Sequence, residues 1–309
     1  MSPERNVYRP DARSVRRSFD RAAATYEAAA VLQAQVRDVL LERLDLTRLE
    51  PRVVLDVGAA TGQGARALKQ RYPGARVIAV DSSACMLRLA ARRRRWFRSF
   101  SLVRADAQRL PFADASVDVA FSNLLLPWCD PDALFAELRR VLAPRGLLTL
   151  TGLGPDTLKE LRAAWAAADT HIRVGEFIDM HDLGDGLVRA GFAAPVLDVE
   201  RYTLRYADVQ GLTADLKAMG ARNAAAGRLK GLTSPRKLAA MQTAYEGYRE
   251  EGRLPATCEV VFAQAWAPLE TRTRTTSAQA VSLEALREQL AVRRRGRSPR
   301  AADELPRGP

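Results

Sequence analysis

The stretch from Val54 to Gly64 brings an acidic side chain and three glycines together. Asp56 lies in an apolar run, and a loop that carries Gly58, Gly62 and Gly64 follows it. An apolar strand that enters a glycine-rich turn and then a helix usually holds a polar ligand at the helix N-terminus. The spacing G-x-x-x-G-x-G does not match the G-x-G-x-x-G fingerprint of dinucleotide-binding loops. The stretch therefore predicts a ligand site, but not one for a pyridine dinucleotide.

Polar side chains also stand at the ends of three later apolar runs. Asp81 ends VIAVD, Asp106 follows SLVRA, and Asn123 follows VDVAFS. The carboxyl ends of parallel strands meet at one edge of an open α/β sheet, where ligands bind. An acid at the end of the second strand can accept hydrogen bonds from ribose hydroxyls. These residues predict a single crevice that takes a nucleoside.

Strand-like runs alternate with helical patterns along the first half of the chain. This alternation predicts a mostly parallel sheet with helices on both faces, and Pro144-Arg145-Gly146 is a helix stop signal. The predicted strands are Val53–Val57, Arg76–Val80, Ser101–Arg104, Val117–Ser122 and Leu147–Thr151, and the predicted helices are Ser14–Leu46, Gly64–Arg71, Ala84–Arg95 and Pro131–Leu142.

The pattern changes after Gly152. Two late strands lack a crossover helix of the earlier kind, so they are predicted to join the same sheet as antiparallel edge strands, with a helical cap inserted between them. Beyond Pro268 the basic tail predicts disorder, with one short helix over Leu283–Val292. The other predicted segments are helices at Asp156–Ala168 and His181–Ala190, a strand at Val196–Leu204, a helical group at Ala207–Gly252 and a strand at Cys258–Trp266.

Length and composition limit the class of protein. The 309 residues are 47% hydrophobic, enough for one elaborated globular domain or for one domain with a smaller companion. The chain has no run of 18 apolar residues and no apolar block of a secretory signal, so a cytoplasmic protein without a membrane partner is expected. The first 21 residues are arginine-rich, as in a mitochondrial transit peptide, but Glu4, Asp11 and Asp20 argue against one.

Cysteine and histidine are too few and too dispersed for several kinds of chemistry. The three cysteines are Cys85, Cys129 and Cys258, and the two histidines are His171 and His181. Their spacing forms no zinc site or disulfide framework, and the sequence lacks a nucleophile-elbow motif. Neither a metal centre nor a hydrolase is predicted.

The formal net charge of +12 raises the question of nucleic-acid binding. Of the 48 basic residues, however, only five are lysines, and alanine is abundant, a combination that a GC-rich genome produces without selection for binding. No zinc finger or RNA-binding signature is present. A solvated arginine-rich surface is therefore expected, and no nucleic-acid partner is predicted.

The loop sequence Asp56-Val57-Gly58-Ala59-Ala60-Thr61-Gly62 resembles the first motif of class I S-adenosylmethionine-dependent methyltransferases, D-x-G-x-G-x-G, with alanine for the middle glycine. The resemblance implies that the carboxylate organises the loop around the cationic methionine tail and that the end of the third strand binds adenine. The expected donor-contacting residues are Asp56, Gly58, Ala59, Gly62, Asp81, Ser82, Met86, Asp106, Ala107 and Asn123.

Longer sequence segments point to one family more specifically than the loop motif does. RADAQRLPFADASVDVAFSNLLLPWC, LGPDTLKELRAAW, FIDMHDLGDGLVRAGF, DLKAMGARN and LPATCEVVFAQAWAP are similar to the malonyl-[acyl-carrier protein] O-methyltransferases of biotin synthesis. That family implies a seven-stranded, mostly parallel α/β sheet with helices on both faces and an inserted helical cap. The implied organisation is an N-terminal helical lid at 1–50, a methyltransferase domain at 51–268 with its insertion at about 207–252, and a basic tail at 269–309.

The resemblance also implies the reaction. In that family the free carboxylate of malonyl-acyl-carrier protein, or of malonyl-CoA, is methylated, and the ester primes pimeloyl synthesis. A carboxylate is already ionised at neutral pH, so the transfer needs no general base. Tyr26 matches a tyrosine of the family's N-terminal segment and is the expected catalytic, positioning hydroxyl. Trp128 is expected to wall the substrate pocket.

Two alternatives remain open at this point. DTLKELR, DLGDGLVRAGF and LPAT also resemble a mitochondrial complex I assembly factor of the same fold that hydroxylates an arginine. A noncatalytic donor-binding assembly protein is the other alternative. Pro127 and the segment ADTHIRVGEF depart from the methyltransferase pattern near the expected acyl site. Possible docking charges for an acidic carrier protein are Arg92 to Arg95, Arg222, Arg228 and the tail, and the sequence does not set the oligomeric state.

Overall fold

A computed structural model describes residues 10–94, 99–224, 231 and 233–269. The helices in these residues are α1 (Ala12–Ala22), α2 (Tyr26–Ala29), α3 (Val31–Arg43), α4 (Gln63–Arg71), α5 (Ala84–Arg92), α6 (Pro131–Val141), α7 (Lys159–Ala168), α8 (Met180–Arg189), α9 (Val209–Ala218) and α10 (Pro235–Glu246). The strands are β1 (Val53–Val57), β2 (Arg76–Asp81), β3 (Ser101–Arg104), β4 (Val117–Ser122), β5 (Leu142–Leu153), β6 (Ala193–Tyr206) and β7 (Leu254–Trp266).

The seven strands form one sheet in the order β3-β2-β1-β4-β5-β7-β6. Strands β1 to β5 are parallel to one another, whereas β7 pairs antiparallel with both β5 and β6. The predicted α/β fold class and the antiparallel late strands are therefore confirmed. Strand order reverses between β1 and β4, which is where an open α/β sheet forms its ligand crevice.

Both faces of the sheet are buried. One face packs on α6 and α8 through residues such as Leu138 and Leu187, and the other packs on α3 and α4 through Leu40 and Leu68. Each of these four side chains is fully buried. Burial on both sides explains why the central strands are continuous apolar runs instead of alternating patterns.

The start of β5 differs from the prediction. The preceding helix ends at Val141, and the strand begins at Leu142, five residues before the predicted start. Leu142 pairs with Val117, and a bulge separates this pair from the regular ladder. Arg145, with φ of +64°, lies inside the bulge and donates its N–H to the carbonyl of Ala267. The helix stop signal Pro144-Arg145-Gly146 thus lies in an irregular part of the strand.

The predicted N-terminal helix is divided into α1, α2 and α3. Asp11 caps α1 by accepting the N–H of Ser14, and the helix stops before Thr25. The Thr25 hydroxyl bonds the carbonyl of Ala22 and that of Ala218 at the end of α9. A contact with the cap therefore ends α1 and sets the angle of the lid.

The cap consists of α7, α9 and α10, which pack around a small core of their own. Leu161, Leu212, Met241 and Tyr245 form its centre. The predicted helical group at 207–252 is thus represented by α9 and α10, and residues 225–230 and 232 of it lie outside the described residues. The predictions for the tail from residue 270 onward, including its short helix, also lie outside them. No helix of the described chain is long and apolar enough to cross a membrane.

Candidate active site

Two adjoining cavities open at the carboxyl edge of the sheet, beside the point where the strand order reverses. Their volumes are about 370 and 90 Å³. Together they fall in the range of ordinary small-molecule sites. The residues that line both are Tyr26, Gln33, Gly58, Ala60 and Asn123, so the cavities form one continuous site. We call the larger the nucleoside chamber and the smaller the tail chamber.

The glycine-rich loop after β1 forms the floor of both chambers. Gly58 has φ of +78°, and its N–H and that of Ala59 donate to the carbonyl of Val80. A side chain is disfavoured at such a positive φ, so glycine lets the loop turn towards the ligand. A Cβ at Gly64 would lie 2.8 Å from Oδ2 of Asp56. The third glycine thus leaves room for the acid carried by the strand.

Asp81 stands at the end of β2 and lines the nucleoside chamber. Its Oδ2 accepts the N–H of Ala60 at 2.9 Å, and its Oδ1 accepts the N–H of Ser83 at 2.8 Å. Burial raises the pKa of this carboxyl, although these two backbone bonds oppose the shift. Each carboxylate oxygen can accept a further bond, so the geometry suits a pair of ribose hydroxyls.

The tail chamber holds two buried acceptors without a partner among the described residues. They are Oδ2 of Asp56 and Oε1 of Gln33. A buried acceptor that makes no hydrogen bond costs stability, so a ligand donor is expected there. Burial raises the pKa of Asp56 to about 7, because desolvation penalises the charged carboxylate.

A cation stands beside these acceptors. Arg37 lines the tail chamber and contacts the neighbouring Asp38 through Nε and Nη2 at 2.9 and 2.7 Å. Asp56 and Gln33 can accept bonds from an ammonium group, and Arg37 can donate to a carboxylate. The chamber therefore fits an amino-acid zwitterion, and the residues present fit S-adenosylmethionine, whose methionine tail is one.

Donor binding is expected to depend on pH through Asp56. A bound ammonium stabilises the carboxylate, so at pH values below about 7 binding must release a proton from Asp56. Affinity should therefore fall by up to about tenfold per pH unit below 7 and level off above it. Titration calorimetry in buffers of different ionisation enthalpy measures the proton release directly.

The variant Asp56→Asn is the control for this pH dependence. It should bind the donor more weakly at pH 8 and lose the proton release near pH 6.5. Equal proton release in the wild type and this variant would assign the titration to another group.

Three aromatic rings form the wall opposite the loop. The ring of Phe19 meets that of Trp128 edge to face at 5.2 Å between centroids and that of Tyr26 at 6.4 Å. All three line the nucleoside chamber. Within the described chain, the Tyr26 hydroxyl has no hydrogen-bond partner. Burial and the nearby carboxylate of Asp81 raise its pKa, so Tyr26 remains a neutral phenol.

The other residues predicted to contact the donor are divided between the two chambers. Ser82, Asp106 and Ala107 line the nucleoside chamber beyond Asp81, and Ala59 lines the tail chamber. Asn123 lines both chambers, but its Nδ2 donates to the carbonyl of Gln33 and its Oδ1 accepts from Thr151. Its amide is therefore used to fasten α3 to the end of β4.

Two residues predicted to contact the donor lie outside both chambers. Met86 is 1% exposed and packs in the core, because Ser83 caps α5 and its first turn faces inward. Gly62 has φ of +79° at the start of α4, where a Cβ would meet that of Ala90 at 2.8 Å. For both residues the structure provides a packing role.

Three residues at or beside this site were not predicted from the sequence. Gln33 and Arg37 are four residues apart on α3, so they share one face of that helix. Asp20 holds the lid, because its Oδ1 accepts from Ser83 Oγ at 2.6 Å and from the N–H of Cys85. The i, i+4 spacing of Gln33 and Arg37 could have shown that they share a face of α3. The sequence around them does not show that this face meets the glycine-rich loop.

Some of the arginines suggested as docking charges at the end of α5 already bind other groups of the protein. Arg93 donates to the carbonyl of Thr61 at 3.0 Å and pairs with Glu27, so it ties the donor loop to the lid. Arg222 is exposed near the cap. Arg95 and Arg228 lie outside the described residues.

Comparisons with known proteins agree with this geometry. A methyltransferase domain family matches residues 55–150. The fold is similar to the crystal structure of the YcgJ protein from Bacillus subtilis, with a TM-score of 0.55 and 16% identity over 76% of this chain and 99% of that one. The strand order, the glycine-rich loop and the acid after β2 define a class I methyltransferase that uses S-adenosylmethionine as methyl donor.

Relatives identify the family within this class. The chain is 53% identical to a malonyl-[acyl-carrier protein] O-methyltransferase from Methylovorus sp. strain MP688, over 85% of this chain and 91% of that protein. It is 52% identical to the protein of the same name from Laribacter hongkongensis strain HLHK9, over 84% and 90%. The chain belongs to the malonyl-[acyl-carrier protein] O-methyltransferase family. These relatives do not support the arginine-hydroxylase alternative.

Proposed function

We propose that this protein transfers the methyl group of S-adenosylmethionine to the free carboxylate of a malonyl thioester carried by acyl-carrier protein. The methyl ester would prime pimeloyl synthesis for biotin, and a cytoplasmic location belongs to the same proposal. The relatives named above carry this activity in their names, and the similarity covers 85% and 84% of this chain.

The chemistry of the chamber walls supports an acceptor that arrives already ionised. Neither histidine lines the nucleoside chamber, and burial raises the pKa of the Cys129 thiol in its wall to about 12. Tyr26 is also held neutral. Among the described residues, the chamber wall therefore offers no histidine, thiolate or phenolate as a base, which suits a malonyl carboxylate and not an amine or alcohol that must first lose a proton.

Catalysis would then depend on how the enzyme positions the donor methyl group and the acceptor oxygen. The donor supplies an electrophilic methyl group on a sulfonium sulfur, and the acceptor oxygen must approach it from the opposite side. Asp81 and the tail chamber fix the donor, whereas the aromatic wall excludes water. The Tyr26 hydroxyl can donate a hydrogen bond to the acceptor carboxylate and orient it. Such orientation can supply about 7 kcal/mol or more of the barrier reduction.

The cations at the chamber mouth favour the same acceptor. Arg13 and Arg16 of α1 and Arg104 at the end of β3 line the nucleoside chamber and are exposed. A malonyl carboxylate loses part of its hydration as it enters, and nearby guanidinium groups offset that cost. A neutral acyl group would gain nothing from them.

Mass spectrometry of the intact carrier protein tests the proposal. Malonyl-acyl-carrier protein incubated with donor and enzyme should gain about 14 Da, the difference between a hydrogen and a methyl group. Acetyl-acyl-carrier protein is the matched control, because it has the same arm and thioester but no free carboxylate, and its mass should not change. No mass change on the malonyl substrate would favour a noncatalytic donor-binding protein.

A further inference from the structure

The outer face of α1 carries a row of arginines. Arg13, Arg17 and Arg21 are four residues apart, and Arg16 stands beside them. Residues at this spacing lie on one side of a helix. All four are exposed, and none makes an ion pair or hydrogen bond through its side chain within the described part of the chain. We call these four residues the arginine row.

The row keeps its positive charge because the two acids of this segment, the N-cap residue Asp11 and Asp20 within α1, bind other groups. Asp11 caps the helix through Ser14, and Asp20 points to the start of α5, where it accepts from Ser83. Like charges at i, i+4 destabilise a helix. Arginines in other parts of the fold do have acidic partners. Arg43, for example, bonds both Asp198 and Glu200.

The neighbouring face of the same helix closes the active site. Phe19 belongs to the aromatic wall, and Val15 is buried against the nucleoside chamber. The N-terminus of α1 is bound to the cap, since the N–H of Asp11 donates to the carbonyl of Ala224. The arginine row thus runs from the chamber rim, which Arg13 and Arg16 line, to Arg17 and Arg21 outside the chamber.

We propose that the arginine row is the docking surface for the acidic carrier protein that delivers the malonyl thioester. This inference rests on the proposed function. Carrier proteins are acidic, so their charge is complementary to the row, and the row stands at the chamber mouth that the acyl arm must enter. Because the row lies on the lid, a docked carrier also holds the aromatic wall over the donor.

The charge-reversal variant Arg17→Glu/Arg21→Glu tests this surface without changing the chamber, since neither residue lines it. Its matched control is Arg48→Glu/Arg76→Glu. Those arginines are exposed and precede β1 and begin β2, at the opposite edge of the sheet. Both double variants change the net charge by the same amount.

Two substrates separate docking from chemistry. Malonyl-acyl-carrier protein presents the whole partner surface, whereas the malonyl thioester of N-acetylcysteamine presents only the acyl end. The Arg17/Arg21 variant should lose about tenfold or more in kcat/KM for the carrier substrate at low salt and retain the wild-type value for the small thioester. The control variant should match the wild type on both, and added salt should reduce the difference between the variants.

Carrier binding measured by fluorescence anisotropy, without turnover, keeps this test independent of the reaction. The Arg17/Arg21 variant should bind the labelled carrier about tenfold more weakly than the control variant. Unchanged binding would overturn the docking surface, as would an equal loss of activity on both substrates. Failure of the wild type to methylate either malonyl substrate would instead refute the proposed function, while the binding comparison would still decide the docking surface.

Discussion

Replacing Asp81 with alanine is expected to weaken S-adenosylmethionine binding by about 1 to 3 kcal/mol, or roughly 5- to 150-fold, because a charge-assisted pair of ribose hydrogen bonds is lost. The carboxylate also accepts the N–H groups of Ala60 and Ser83, so part of the loss comes from a looser donor loop. Titration calorimetry measures the affinity, and thermal unfolding without ligand shows how much the loop contributes.

Two further variants make this result specific to the ribose. Asp81→Asn keeps one acceptor oxygen but loses the charge, so its affinity should lie between those of the wild type and the alanine variant. Asp185→Ala removes an exposed acid of α8, far from the crevice, and should bind the donor normally. Unaltered donor affinity in Asp81→Ala would remove Asp81 from the ribose site.

Tyr26→Phe is expected to lower kcat by about 10- to 100-fold while donor affinity changes little. The ring still packs against Phe19 and still walls the chamber, but the hydroxyl that orients the acceptor carboxylate is gone. Because burial keeps this phenol protonated, the fall in kcat should be the same at pH 7 and pH 9. Single-turnover kinetics with saturating donor measures it.

The matched variant for Tyr26 is Tyr248→Phe, which removes a partly exposed hydroxyl in the cap. It should have the wild-type kcat. A wild-type kcat in Tyr26→Phe would return Tyr26 to a packing role and leave the acceptor to be oriented by other groups of the chamber.

The parts of the site that follow directly from a strand were predictable from the sequence. Asp56, Asp81 and Asp106 each stand at or near the end of a short apolar run, and parallel strands bring such ends to one edge. The loop glycines could be assigned for a similar reason, because a turn with positive φ favours that residue type. At these positions the local sequence pattern also indicates where the residue lies in the sheet.

The parts that depend on packing between distant segments were not predictable. Gln33 and Arg37 reach the tail chamber because α3 packs on the sheet through side chains such as Leu40 and is bonded to it by Asn123. The break after α1 occurs in an alanine-rich stretch with good helix propensity, and Thr25 ends the helix through a contact with Ala218 in the cap. The burial of Met86 was not predictable either, because helical spacing alone does not show which face of α5 meets the core.

A crystal structure with S-adenosylhomocysteine tests the central claim most directly, because the claim is that one crevice at the sheet edge holds an adenosyl amino acid by both ends. We expect both ribose hydroxyls on Asp81, and the amino group within hydrogen-bond distance of Asp56 Oδ2 and Gln33 Oε1. A ligand whose amino group leaves these two oxygens unpaired, or a crevice that instead takes a pyridine dinucleotide, would contradict it.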